Sequence, residues 1–180
     1  MKKTILNKSL IILDRDGCIN IPQPNHRYIH KVEDFKIYPD VVDFCKNAIL
    51  KGIRLAIATN QQGISKNLYS LEDVYLLHQL LLRKLSVDKT YFPIYVCPHL
   101  SNDRSCDCRK PKPGLLLKAM ENFEVPPKSA LFIGDSLSDK VAAGKAGLDF
   151  CHLDRLNKLE FRSAYKMNNL SWEYLEEHFK

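Results

Sequence analysis

Leu10-Ile11-Ile12-Leu13-Asp14-Arg15-Asp16-Gly17 sets four consecutive apolar residues directly before two carboxylates and a glycine. A short, wholly apolar run reads as a strand buried on both faces, as the strands of a parallel sheet are. The same texture recurs at Arg54 to Ala58, Ile94 to Val96, Ala130 to Ile133 and Phe150 to Leu153. Between these runs lie segments of helical period, at Asp40 to Lys51, Leu71 to Leu85, Pro113 to Asn122 and Ser138 to Ala146. In the first, Val41, Phe44, Cys45 and Ala48 fall on one face, and Gly52 stops the helix. Ser70 with Asp73 forms an N-terminal cap for the second. Pro39 and Pro93 stand at element boundaries, where a missing N–H does least harm. Strands alternating with helices predict an α/β fold, a parallel sheet with helices on both faces. With no internal repeat, low-complexity tract or linker, residues 1–180 read as one domain. The polar tail from Asp154 to Lys180 predicts a last helix from Ser171, packed on the sheet or frayed.

In such sheets, ligands gather at the carboxyl ends of the strands. Asp14 and Asp16 follow the first strand, Thr59 and Asn60 the second, and Asp135 the fourth. Asp14 and Asp16 are alternate residues of extended chain, so both side chains can face one site. Such a pair can hold a hard cation such as Mg2+, with Asp135 as a third oxygen ligand. One carboxylate can also attack phosphorus while its neighbour handles the leaving group's proton. Thr59, Asn60 and Lys110 offer a hydroxyl, an amide and a cation for phosphate oxygens. Each residue alone has an ordinary explanation: an Asp-Gly turn, loop polar groups, a surface lysine. Their joint placement at strand ends does not.

The 180 residues are 45% hydrophobic and carry a formal charge of +6. That balance fits a folded chain with a basic surface, an anionic small substrate or a nucleic acid. The lysines are scattered, and no aromatic residues interleave with them as a strand-binding groove requires. Nucleic acid is therefore not the expected partner, and no obligate protein partner is evident. The apolar run after the basic start is too short for a signal peptide. No segment approaches the ~20 apolar residues that span a bilayer, so a soluble, cytoplasmic chain without membrane contact is expected.

Three of the six cysteines, Cys97, Cys106 and Cys108, bunch with His99, and six residues separate His99 from Cys106. These are four ligands of the kind that hold tetrahedral Zn2+, with no open position, so the metal's role is structural. The intervening Ser101-Asn102-Asp103-Arg104-Ser105 is polar, which suits a zinc-stabilised loop over 97–108 better than buried free thiols. Cys108 runs directly into Arg109 and Lys110, so fixing the loop aims both side chains at the substrate.

Asp14-Arg15-Asp16-Gly17, Thr59-Asn60-Gln61, Lys110-Pro111 and Gly134-Asp135-Ser136 with Asp139 resemble, in order, the four motifs of the haloacid dehalogenase superfamily of phosphatases. The resemblance runs from about Leu10 to about Leu153. It implies a Rossmann-like sheet, Asp14 as nucleophile, and Asp16 as general acid and then base. It also implies Mg2+ held by Asp14, Asp135 and the main-chain carbonyl of Asp16, with Thr59 and Lys110 on the transferred phosphoryl group. Asp139 either supports the metal ligands from behind or caps the helix near Ser138. Cys18 stands where a threonine commonly follows Asp-Gly; it is expected to pack near the loop and to offer a thiol open to oxidation.

The run from Cys97 to Pro111 resembles the zinc loop of the branch that holds heptose 1,7-bisphosphate phosphatases and histidinol-phosphate phosphatases. Asn25-His26-Arg27-Tyr28 lies where the heptose enzymes carry an Asp-His-Gly-Tyr-like substrate stretch, with Asn25 and Arg27 as departures. Gln61-Gln62-Gly63-Ile64 resembles the Asn-Gln-x-Gly-Ile stretch of the same branch, which implies that Gln61 and Gln62 contact substrate or lead into the next helix. His78, within an apolar helical pattern, reads as a packed histidine. No large segment separates the motifs, so there is no room for a big cap domain. A lightly covered site suits a small phosphorylated metabolite with a second anionic handle, which Arg109 can grip. Val32-Glu33-Asp34-Phe35 and Thr59 to Ile64 favour the heptose bisphosphate, whereas the short His99 to Cys106 spacing favours histidinol phosphate. A polynucleotide 3′-phosphatase and a non-catalytic zinc-binding module are the remaining readings.

Overall fold

In the computed structural model, which describes residues 7–24, 28–157 and 161–179, all four side chains of β1 (Leu10–Leu13) are fully buried. The strand lies inside an all-parallel sheet, paired on one side with β2 (Arg54–Asn60) and on the other with β4 (Ala130–Gly134). β3 (Ile94–Cys97) flanks β2, and β5 (Asp149–Leu153) and β6 (Lys166–Met167) extend the β4 side. The resulting order is β3-β2-β1-β4-β5-β6.

Alternation along the strands sorts their side chains into two cores. Ile11, Leu13, Leu55, Ile57, Leu131 and Ile133 face α1 (Pro39–Leu50), α2 (Leu71–Leu85) and α5 (Trp172–His178). Leu10, Ile12, Ala56, Ala58, Ala130 and Phe132 face α3 (Gly114–Asn122) and α4 (Leu137–Ala146). This is the expected α/β architecture with helices on both faces. Among the described residues no inserted segment is large enough to form a cap, and no helix is long and apolar enough to cross a membrane.

The four inner helices begin and end within two residues of their sequence bounds. Val41, Phe44, Cys45 and Ala48 form the buried face of α1. Ser70 and Asp73 cap α2 reciprocally: the Asp73 amide donates to Ser70 Oγ, and the Ser70 amide to Asp73 Oδ2. Four strands are longer than expected, and in two of them the difference matters. β2 continues to Asn60, so Thr59 and Asn60 are its last residues. β3 continues to Cys97, so one thiol of the cysteine cluster is built into the sheet.

The tail packs on the sheet instead of fraying. β6, too short to leave a periodic signal, pairs with β5, and Met167, Leu170, Trp172, Leu175 and Phe179 are buried in the first core. The Trp172 ring stacks on Phe44 at 5.0 Å, and its Nε1–H donates to the Phe44 carbonyl.

Candidate active site

β1 and β4 are neighbours, and their carboxyl ends present Asp14 and Asp135 side by side at the point where the strand order reverses. The Asp14 amide donates to the Ile133 carbonyl at 2.9 Å, continuing the ladder one residue past β1. The chain then turns tightly, with the Ile19 and Asn20 amides both donating to the Arg15 carbonyl. Gly17 makes the turn possible. Its φ is +86°, and a Cβ on it would lie 2.0 Å from Asp135 Oδ2. Gly134 is crowded in the same way by the Asp139 side chain, 2.7 Å from where its Cβ would be.

Lys110 reaches this cluster from the loop after β3. It is 4% exposed, and its ammonium meets Asp14 Oδ1 at 2.7 Å, Asp139 Oδ1 at 2.6 Å and the Ala58 carbonyl at 2.9 Å. Burial alone would push the ammonium's pKa down. Asp139 and Asp14 outweigh it and hold the pKa above its usual value, so Lys110 stays charged. Asn60 places it: the Lys110 amide donates to Asn60 Oδ1 at 3.1 Å, and Asn60 Nδ2 donates to the Lys110 carbonyl at 3.0 Å. The amide expected on phosphate oxygens is therefore spent on the lysine's main chain, because β2 ends beside that loop. Asp139 caps the helix, the second of its two expected roles. Its Oδ2 accepts the Ser136 amide and hydroxyl at the start of α4, while its Oδ1 pairs with Lys110.

One oxygen each of Asp14, Asp135 and Asp139 lies within 4.8 Å of the others. Burial pushes Asp14 up to about 7, against the pull of Lys110 and with Asp139 adding to the rise. Burial, then Asp14 and Asp139, push Asp135 up to about 8. So much negative charge in so little water calls for a cation, and an all-oxygen donor set is what Mg2+ takes. The donors present therefore fit that ion.

Asp16 points to a different set of partners. Arg15 forks onto it, with Nε and Nη2 on Oδ1 at 3.1 and 2.9 Å and Nη2 also on Oδ2 at 2.9 Å. Asn20 Nδ2 donates to Oδ1 at 3.0 Å, and Gln61 Nε2 to Oδ2 at 2.8 Å. Arg15, Asn20 and Gln61 are each at most 2% exposed. Gln61 also donates to Thr59 Oγ1 and accepts the Tyr69 hydroxyl, so its polar atoms are turned inward and not to a substrate. Sequence reasoning missed Arg15, Asn20 and Tyr69; an arginine between two aspartates was the one available signal. Cys18 departs from expectation as well. It is fully buried, and burial pushes its thiol well above the usual range, which disfavours oxidation.

The sulfurs of Cys97, Cys106 and Cys108 and the Nδ1 of His99 lie within 4.8 Å of one another. The neighbouring pairs are 3.3–3.7 Å apart. A tetrahedron with Zn–S bonds of ~2.3 Å has edges of about 3.8 Å, so the four atoms fit one zinc ion. The Arg109 amide donates to Cys106 Sγ at 3.3 Å, tying the cluster to the residue before Lys110. The Arg109 guanidinium is half-buried and donates to the His99 carbonyl at 3.2 Å. Gln62 and Tyr28 are also half-buried, and the Tyr28 hydroxyl accepts from the Lys66 ammonium at 3.0 Å. Asn25, His26 and Arg27 lie outside the described residues.

The sequence profile of haloacid dehalogenase-like hydrolases matches residues 8–147, which takes in every element of this site. The chain belongs to that family. This hydrolase is 39% identical over 143 residues to the D-glycero-alpha-D-manno-heptose-1,7-bisphosphate 7-phosphatase of Campylobacter jejuni, a match covering 77% of each chain. It is 33% identical over 162 residues to the D-glycero-beta-D-manno-heptose-1,7-bisphosphate 7-phosphatase of Haemophilus ducreyi, covering 85% of this chain and 86% of that one. Among solved structures it resembles the D,D-heptose 1,7-bisphosphate phosphatase of B. bronchiseptica, complexed with magnesium and phosphate. There the TM-score is 0.79 and the identity 25%, over 92% of this chain and 96% of the other.

Proposed function

We propose that this hydrolase is a single-domain, magnesium-dependent phosphatase that removes the C7 phosphate of a D-glycero-D-manno-heptose 1,7-bisphosphate. The observation that carries the reading is the convergence of Asp14, Asp135, Asp139 and Lys110 at the end of β1, with Asp16 two residues beyond the nucleophile position. The relatives named above supply the substrate. Free thiols grouped as a set of metal ligands suit a reducing compartment, which supports a cytoplasmic location.

In this reading a carboxylate oxygen of Asp14 attacks phosphorus, and the sugar oxygen leaves with a proton from Asp16. Asp16 then takes a proton from water, the water oxygen attacks the phosphorylated Asp14, and phosphate leaves with the Asp14 carboxylate restored. Lys110 and Thr59 hold the transferred phosphoryl oxygens, and Asn60 acts through Lys110, whose main chain it grips. Mg2+, held by Asp14, Asp135 and the Asp16 carbonyl, would supply positive charge to the phosphoryl group. Zn2+ on Cys97, His99, Cys106 and Cys108 would keep Arg109 and Lys110 aimed. Arg109 grips the distal phosphate, and Tyr28 and Gln62 line the approach.

The short spacing from His99 to Cys106 supports histidinol phosphate as the second reading. Phosphate release in magnesium should be measured on both anomers of heptose 1,7-bisphosphate and on histidinol phosphate, with Asp14→Asn as the blank. Preference for a heptose bisphosphate, leaving heptose 1-phosphate, is expected. Preference for histidinol phosphate would overturn the substrate assignment and leave the chemistry standing.

A further inference from the structure

Gln61 is an amide caught between a carboxylate and a phenol. Its Nε2 donates to Asp16 Oδ2 at 2.8 Å and to Thr59 Oγ1 at 2.8 Å, and its Oε1 accepts the Tyr69 hydroxyl at 2.6 Å. An ionised carboxylate only accepts, so the NH2 end must face Asp16 and the carbonyl end must face Tyr69. Turned the other way, the amide oxygen would lie against the carboxylate. Tyr69 donates to the carbonyl end that this orientation presents and so helps to hold the amide on Asp16.

The surroundings of Tyr69 hold it to that task. It is 8% exposed, stacked on His30 with ring centroids 5.3 Å apart and planes 6° from parallel, and in contact with Tyr28 at 5.9 Å. Gly63 makes room for it: a Cβ there would come within 2.1 Å of the Tyr69 ring. That accounts for the glycine in Gln61-Gln62-Gly63-Ile64 without any contact to substrate.

We propose that Tyr69 and Gln61 are positioning residues, a two-step relay that aims the Asp16 carboxyl at the leaving-group oxygen. The proposal rests on the reading of Asp16 as the general acid and base. An amide N–H donates to a carboxyl oxygen whether or not that group carries a proton, so the hold persists through both half-reactions. Neither residue touches substrate, so binding should not change when the relay is cut.

The test is leaving-group release in a single turnover, read on heptose 1,7-bisphosphate and on p-nitrophenyl phosphate, whose leaving group departs without a proton. Tyr69→Phe removes one hydroxyl and keeps the stacked ring. It should slow release from the sugar about tenfold, the worth of one buried hydrogen bond, and slow release from the aryl phosphate less than twofold. KM, zinc content and melting temperature should hold. Gln61→Met should lose more on the sugar than Tyr69→Phe, with a smaller loss common to both substrates because Gln61 also holds Thr59 Oγ1. Equal losses on both substrates, or no loss on the sugar, would overturn the relay. Asp16→Asn separates this failure from that of the parent reading. If Asp16→Asn is selective for the sugar and Tyr69→Phe is not, the relay alone is wrong. If Asp16→Asn is not selective, the general-acid role falls and the relay with it.

Discussion

Gly17 shows how much of this site hangs on single atoms. Its positive φ costs a side-chain-bearing residue about 1 kcal/mol or more, and the added methyl would also strike Asp135 Oδ2. Gly17→Ala is expected to lower activity at least a hundredfold and to weaken magnesium activation, because it displaces a carboxylate of the proposed metal site. A magnesium titration of activity checks this; near-native activation would show that the turn has slack. Asp14, Asp16, Asp135 and Lys110 were legible in the sequence because each falls at the end of an apolar strand or beside the thiol cluster. Arg15, Asn20 and Gln61 were not legible as partners of Asp16. Their roles depend on a turn that folds the Arg15 guanidinium back onto its neighbour, and periodicity says nothing about such a turn.

At the scale of elements, α2 and the loop before β3 meet at His78. Its Nε2–H donates to the Phe92 carbonyl at 2.7 Å, and burial holds its pKa down to about 4 from 6.5. Between those values the unfolded chain takes up a proton that the folded chain refuses. Stability is therefore full above about pH 6.5 and falls as the pH drops towards 4. The whole span is worth roughly 3 kcal/mol. His78→Gln keeps a donor for Phe92 and should lose this part of the slope, which urea unfolding near pH 7 and near pH 5 would reveal. Parallel slopes for the two proteins would contradict it. The loop that carries Cys97, His99, Cys106 and Cys108 is another such element. It joins the sheet through Cys97 and the site through Arg109 and Lys110, and it meets the second core at Cys97, Cys106 and Cys108 but takes no part in the first. Chelating zinc is expected to raise KM while leaving the main melting transition in place; global unfolding on chelation would give the metal a larger part. The grouping of the three cysteines with His99 was readable from residue type and spacing. That the first of them ends a strand was not, because the apolar run alone stops one residue short.

Across the whole molecule, the tail after β5 lies beyond the family match and yet completes the first core. β6 supplies the sixth strand, and Trp172 fills the space over Phe44. Trp172→Ala should cost about 3–5 kcal/mol of stability with kcat little changed below its melting temperature; a denaturant midpoint close to wild type would show that the tail is dispensable. The sheet and its helices were legible as alternating patterns. The tail's docking was not, because two strand residues and one short helix carry no period long enough to read. The central claim is that Asp14 becomes covalently phosphorylated. Its most direct test is to quench the enzyme during turnover, reduce with borohydride and map the peptides, since an acyl phosphate is reduced to an alcohol. Homoserine in place of Asp14, formed only with substrate and magnesium present, is the predicted result. An unmodified Asp14 during steady turnover, or the modification at another carboxylate, would contradict the account.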